Sequence, residues 1–413
     1  DSPPGIGGDA AGDILKNVEN LTGTGLVDTL TGDSSINTLT GGAGNDTLAG
    51  LGGADVLIGG TNTADAAGGN DTVSYASSAT AVTVSLIDTS PADGLADATG
   101  LGGDAQGDSY YYINNLIGSD DLATGDTLTG NANINTLNSG AGDDTLNGEA
   151  GSDLLIGGAG TDTADYRTAV ADVSVTLLGL TDGTAVSGAD TDTLRGIENV
   201  LGSDFNDNIV ADVNANSIDG GNGNDTVSYE NSLAAITLTL NGASNSAAGI
   251  GGDAAGDVLV NVENVTGGSG ADTITGDGAV NTLDGGTGND TLLGGAGADT
   301  LIGGADTDTV DYRTEAADVT VVLNGATDGT GTTGGVTDTL RSIENVLGSI
   351  NNDTIVADLN ANSIDGGAGA DTVSYAFSSA GITMTLNGAA DSTPGIGGDA
   401  AGDILKNVEN LTG

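Results

Sequence analysis

The chain counts in nines. Asp28, Asn37, Asp46 and Asp55 stand nine residues apart, as do Asp126, Asn135, Asp144, Asp153 and Asp162, and again Asp272, Asn281, Asp290, Asp299 and Asp308. Two shorter ladders, Asp207/Asn216/Asp225 and Asp353/Asn362/Asp371, keep the same step. Nearly every rung is followed two residues later by Leu, Ile or Val, and many are preceded by a glycine-rich turn such as Gly41-Gly42-Ala43-Gly44-Asn45-Asp46. A short fixed period with one carboxylate and one aliphatic residue per step describes a solenoid whose turns bind metal. It does not describe an enzyme pocket.

Composition supports thin repetitive layers. Aromatics make up 2% of the 413 residues, Trp is absent and Gly supplies 74. An ordinary core of this size would use large side chains; here Leu, Val, Ile and Ala come in short beats. The charge is -53, from 59 acidic and 6 basic residues, which makes nucleic acid and anionic lipid poor partners. Two unit charges 4 Å apart repel by ~1 kcal/mol in water and by several times that near protein, so stacked carboxylates need cations. Without Cys there is neither a disulfide framework nor a thiolate site, and without His the usual zinc ligand and general base are missing. No stretch reads as a signal peptide, a transit peptide or an apolar run of about 18 residues, so membrane insertion is not expected.

Five nonapeptide blocks span about 19–75, 118–166, 198–229, 263–312 and 344–375. Most open on a Glu-Asn-apolar signature (Glu19, Glu198, Glu263, Glu344), although the second block has Asn114-Asn115-Leu116 instead. Each closes on a Tyr four residues after its last Asp: Tyr75, Tyr166, Tyr229, Tyr312 and Tyr375. The connectors are 76–117, 167–197, 230–262, 313–343 and 376–413. They carry alternating strands such as Ile236–Leu240, Val319–Leu323 and Ile382–Leu386, the period-two signal. One connector type holds Arg167 with Arg195 and Arg313 with Arg341, placed for salt bridges to nearby acids; the other holds the GIGGDAAGD loop. From last Asp to next Glu is 36 or 38 residues, near four nines, so the connectors should continue the solenoid as widened turns. Helical periodicity is missing, and the glycine content would penalise helix throughout. Residues 1–23 return at 391–413 with a single change, Pro3 to Thr393, as expected of a window from a longer tandem array. A wholly regular solenoid would have about 23 coils and a length of ~110 Å at ~4.8 Å per coil.

The consensus Gly-Gly-x-Gly-x-Asp-x-apolar-x recurs, in full or nearly so, at 41–46, 157–162, 220–225, 267–272, 285–290, 294–299 and 366–371. It resembles the RTX (repeat-in-toxin) family of secreted bacterial proteins. The connectors look like those of large RTX adhesins and hemolysin-type calcium-binding proteins. The resemblance implies an all-β, right-handed parallel β-roll: each nine-residue unit is a turn plus a short strand, two units make a coil, and Ca²⁺ ions sit between stacked turns. It also implies export through a type I secretion channel to the cell surface or beyond. The chemistry agrees. Glycines allow positive φ, and Asp with backbone carbonyls supplies the all-oxygen shell a hard cation prefers, while Mg²⁺ demands a tighter octahedron.

The candidate ligands are Asp28, Asp46, Asp55, Asp126, Asp144, Asp153, Asp162, Asp207, Asp225, Asp272, Asp290, Asp299, Asp308, Asp353 and Asp371. A coil of eighteen residues pairs Asp28 with Asp46, Asp126 with Asp144, Asp144 with Asp162, Asp207 with Asp225, Asp272 with Asp290, Asp290 with Asp308, and Asp353 with Asp371, all expected on one edge. The opposite edge, Glu-Asn-Asp as in Glu263, Asn281 and Asp299, lacks glycine-rich turns at its Asn rungs and should bind fewer ions. At those Asn rungs a neutral amide ladder or a plain turn is the expected structure.

The function expected is structural: a calcium-stiffened segment of a secreted surface protein, whether adhesin, S-layer protein or extracellular filament, with end-to-end or lateral association of copies open. The rivals are an accessory repeat region of a secreted enzyme, or an ice- or glycan-binding module. The outward Thr column that ice binding needs fails after Thr31 and Thr40 at Ala49 and Ile58. Paired carboxylates could serve glycoside hydrolysis, but that needs a cleft and stacking aromatics, and these acids fall in regular columns.

Overall fold

A computed structural model of the protein describes residues 5, 8–60, 69–86, 100–179, 181–325 and 327–413. Part of the first block (61–68), of its connector (87–99) and of the terminal repeat (1–4, 6–7) lies outside the described residues. The described residues form two compact units, 1–169 with 180–199 and 170–179 with 200–413. Both are parallel β-solenoids, without an α-helix among the described residues.

The nine-residue step becomes a three-residue strand and a turn, and two steps make one coil. In the first unit Thr29–Thr31 pairs in parallel with Thr47–Ala49, and Thr127–Thr129 with Thr145–Asn147, each residue facing the one eighteen later. In the second, Thr273–Thr275, Thr291–Leu293 and Thr309–Asp311 stack in the same way. The middle residue of each strand turns inward. Leu48, Leu137, Leu146 and Leu155 in the first unit, and Ile274, Leu283, Leu292 and Leu301 in the second, are completely buried. Each such side chain contributes about 1.5–3 kcal/mol, and the flanking Thr residues face outward in half-exposed columns.

Connectors continue these stacks. Asn264–Thr266 pairs with Thr226–Ser228, although the two strands are 38 residues apart rather than 18. Some widened coils fold back on themselves: Gly183–Ser187 runs antiparallel to Asp190–Arg195 in the first unit, and Val319–Val322, Gly329–Thr333 and Val336–Arg341 form an antiparallel meander in the second. The strand expected at Ile382–Leu386 is reduced to a single bridge, Thr383 with Ile396. Its equivalent Thr237–Thr239 has a parallel partner 36 residues on at Thr273–Thr275; the same step from Thr383 would fall past residue 413.

One expectation is corrected. The Asp pairs do not share an edge. Asp28 and Asp46 head strands in the stack that continues to Asn135 and Asp153, whereas Asp126, Asp144 and Asp162 head strands of another. In the second unit Asp207 and Asp225 are followed in their stack by Glu263, Asn281 and Asp299, while Asp272, Asp290 and Asp308 lie in the other stack. The later connectors deliver the next Glu, not the next Asp, above the last Asp, and Asn114 takes that place above Asp71. The acid-rich run then moves to the opposite side.

Candidate metal centre

All seven pairs read at eighteen-residue spacing are brought together. The N–H of Asp28 donates to Asp46 Oδ1 (2.8 Å), Asp126 to Asp144 (2.7 Å) and Asp144 to Asp162 (2.9 Å). In the second unit Asp207 donates to Asp225 (2.8 Å), Asp272 to Asp290 (2.7 Å), Asp290 to Asp308 (2.8 Å) and Asp353 to Asp371 (2.8 Å). Asn37, Asn135 and Asn281 donate likewise to Asp55, Asp153 and Asp299. One carboxylate oxygen per rung therefore locks the stack. The second oxygen divides the rungs.

Five of the fifteen candidates have Oδ2 satisfied by the chain. Asp126, Asp207 and Asp353 accept the N–H of Ser119, Ser203 and Ser349 at Oδ2, with those serine hydroxyls at Oδ1. Asp272 accepts Gly268 N–H at Oδ2 and Ile236 N–H at Oδ1. Asp28 accepts Thr24 N–H. The other ten, Asp46, Asp55, Asp144, Asp153 and Asp162 in the first unit and Asp225, Asp290, Asp299, Asp308 and Asp371 in the second, each bury an Oδ2 with no hydrogen-bond partner.

The difference has a backbone cause. Four residues before each of those ten, φ is positive: at Gly42, Leu51, Gly140, Glu149, Gly158, Gly221, Gly286, Gly295, Gly304 and Gly367. None of Thr24, Leu122, Ser203, Gly268 or Ser349, which precede the five satisfied Asp residues by four, has a positive φ. Gly268 N–H reaches its Asp; Gly42 N–H instead donates to the Gly59 carbonyl, and Gly286 N–H to Asp284. The left-handed turn rotates the donor away and leaves the carboxylate oxygen bare. Leu51 and Glu149 hold this conformation without being glycine, at a strain of roughly 1–2 kcal/mol each.

A bare buried carboxylate oxygen is expensive, and burial opposes the ionisation of several of these groups. Burial pushes Asp153, Asp162, Asp225 and Asp308 up to about 7, and Asp290, Asp299 and Asp371 up to about 6. Neighbouring acids add to the shift, Asp144 and Glu198 for Asp162, and Asp207 and Glu263 for Asp225. The Asn rungs show none of this frustration. Asn281 Oδ1 accepts Asp277 N–H (2.9 Å) while its amide donates to the Glu263 carbonyl (2.9 Å), and Asn362 donates to Glu344 in the same way.

The donor set fits calcium. It consists of carboxylate and carbonyl oxygens only, without His or Cys. Three acidic side chains never converge at one point among the described residues, so a cation here would draw on one or two carboxylates and on the turn carbonyls.

The model of the RTX calcium-binding nonapeptide repeat matches residues 22–57, 129–164, 201–231, 262–292, 275–310 and 347–376. The chain carries RTX calcium-binding nonapeptide repeats. Such repeats bind several calcium ions, and calcium is the cofactor of these turns. No curated protein matches the chain. A solved structure, the extracellular lipase LipA from Serratia marcescens, is similar over 55% of this chain and 38% of its own, at 13% identity and a TM-score of 0.18.

Sequence reading missed further rungs. Asp71 accepts Asp46 N–H; Asp108, Asp192 and Asp338 accept the N–H of Asp55, Asp153 and Asp299; and Asp257 and Asp403 accept that of Asn216 and Asn362. They stand 25–53 residues from their donors instead of eighteen, which takes them off the regular count, yet each keeps the Asp-x-apolar signature, as in Asp257-Val258-Leu259. Glu198, Glu263, Glu344 and Glu409 end other runs by accepting the N–H of Asp162, Asp225, Asp308 and Asp371. The arginines pair as expected, Arg167 with Asp165, Arg195 with Asp182, Arg313 with Asp311 and Arg341 with Asp328.

Proposed function

We propose that this chain is a continuous calcium-set spacer in a secreted bacterial surface protein, an adhesin, S-layer protein or extracellular filament, and that the ten Asp residues with a bare Oδ2 are the ones that face the ions. The ten bare oxygens carry the reading. Where free calcium is low, their repulsion and desolvation oppose folding of the nonapeptide blocks, and the blocks pass through export unfolded. At millimolar calcium outside the cell the carboxylates and turn carbonyls gain their missing partner, and binding energy becomes folding energy. The remaining chemistry suits a spacer: no helix of the described residues is long and apolar enough to cross a membrane, and the regular columns of acids offer no converging catalytic group. The five Asp residues whose Oδ2 is already satisfied by the chain, Asp28, Asp126, Asp207, Asp272 and Asp353, act as starting rungs that cap each run.

Far-UV circular dichroism during a calcium titration, with Mg²⁺ and EGTA controls, tests this. A cooperative gain of β signal specific to Ca²⁺ is expected. A chain fully folded in EGTA refutes it.

A further inference from the structure

Five further Asp rungs are satisfied in a third way. Asp108, Asp192, Asp257, Asp338 and Asp403 are buried and stack like the rest, each Oδ1 taking a backbone N–H from the preceding coil. Their Oδ2 atoms are not bare. Each accepts a tyrosine hydroxyl: Tyr75 to Asp108 (2.8 Å), Tyr166 to Asp192 (3.1 Å), Tyr229 to Asp257 (3.0 Å), Tyr312 to Asp338 (3.0 Å) and Tyr375 to Asp403 (2.8 Å). These are the tyrosines that close the nonapeptide blocks. All five are buried, and each reaches an Asp 26–33 residues further on, at the far side of the connector coil. In the first unit Tyr110 extends one pair into a chain, its hydroxyl 2.7 Å from that of Tyr75.

We propose that these Tyr–Asp pairs are cation-free staples: the hydroxyl supplies at the connector rungs what calcium supplies at the block rungs, so the connector coils stay folded in calcium-free protein and hold the register for the blocks between them. A phenol O–H donating to a carboxylate is a charge-assisted bond and satisfies the buried oxygen without a cation. Each staple also closes a loop across its connector. In the third connector Ile236, Leu238, Leu240 and Leu259 are buried, as are Tyr229 and Asp257. Nothing in that coil is left bare, whereas Asp225 before it and Asp290 after it each keep a bare oxygen.

The proposal rests on the calcium reading of the blocks, and hydrogen exchange of the full chain in EGTA separates the two. Amides bonded within the connector, Thr237, Gly249 and Ile250, should exchange at least tenfold more slowly than block amides Thr291, Thr300 and Thr309, whose protection should appear only with Ca²⁺. Blocks that remain protected in EGTA would overturn the calcium reading. Blocks and connectors equally unprotected would overturn the staples alone. Tyr229→Phe, which keeps the ring and removes the donor, provides the second arm: protection at Gly249, whose N–H donates to the Asp257 carbonyl, should be lost in EGTA and restored at millimolar Ca²⁺. Unchanged protection at Gly249 in EGTA would also overturn the staple.

Discussion

Asp290→Asn should stabilise the protein without calcium and destabilise it with calcium. Asp290 sits at the centre of a stack, its Oδ1 holding Asp272 N–H and its own N–H held by Asp308. Its Oδ2 is buried and bare. Asn retains an oxygen for the Asp272 bond and exchanges the bare acceptor for an amide. Asn281 shows that an amide in such a stack finds a carbonyl eighteen residues back. Removing one buried unsatisfied acceptor returns about 1–3 kcal/mol, more when the group is charged. With calcium at a hundredfold excess over its dissociation constant, one lost site forfeits about 2.7 kcal/mol. The two effects have opposite signs, so the variant's stability relative to the parent should swing by about 4 kcal/mol or more between the buffers. For a unit of about 200 residues that is a swing of roughly 8–16 °C in melting temperature. Thermal melts followed by circular dichroism, at the lowest Ca²⁺ that still gives a transition and at millimolar Ca²⁺, read it directly. Asp272→Asn is the control: both its oxygens are already satisfied, so it should lose stability in both buffers. The reasoning fails if Asp290→Asn lowers the melting temperature in both buffers, or if Asp272→Asn shows the same reversal.

The remaining predictions follow from the same chemistry. Burial holds Asp153, Asp162, Asp225 and Asp308 up to about 7 and Asp290, Asp299 and Asp371 up to about 6, against about 4 in an unfolded chain. Folded-state protons are bound more tightly, so their stabilisation is complete below about pH 4 and fades as pH rises through 6–7; calcium-free protein should gain β signal on acidification from pH 8 to 5, and a pH-independent spectrum would contradict this. Because calcium competes with those protons, its half-saturating concentration should rise as pH falls over the same range, as calorimetry would show. Glu149→Gly should stabilise by about 1 kcal/mol by relieving the left-handed strain at φ 65°, read as a higher urea midpoint with calcium present. Leu292→Ala, emptying a fully buried position, should cost about 2–5 kcal/mol. By contrast Arg341→Ala, which removes a half-exposed pair with Asp328, should change chemical denaturation by no more than about 1 kcal/mol.

How much of this was legible in the sequence depended on whether the relevant contact obeys the period. The coil of eighteen, the seven Asp pairs and the buried Leu columns all follow from residues repeating at a fixed step, and the stacks place them accordingly. The exchange of sides by the Asp-rich runs was not legible, because it depends on how a 36- or 38-residue connector closes one wide coil, and spacing alone cannot say which strand the next Glu will land on. The recurring position of the block-closing tyrosines was visible, but their hydroxyl partners lie 26–33 residues away across irregular connectors, where no period points. The distinction between satisfied and bare Asp rungs lay half in view. Gly42, Gly286 and Gly367 belong to the glycine motif, and a glycine four residues before the acid is what rotates the competing N–H away. Yet Gly268 stands at the same place and donates to its Asp, while Leu51 and Glu149 adopt the left-handed turn without being glycine. Glycine permits that turn without compelling it. What separates Gly268 from Gly286 is position in the run, since Asp272 opens its run and takes the N–H of a connector residue, Ile236, whereas Asp290 stacks on a rung already in place. Whether a rung keeps a bare oxygen is therefore a property of the coil beneath it, and in the Asp runs the bare oxygen first appears at the second rung.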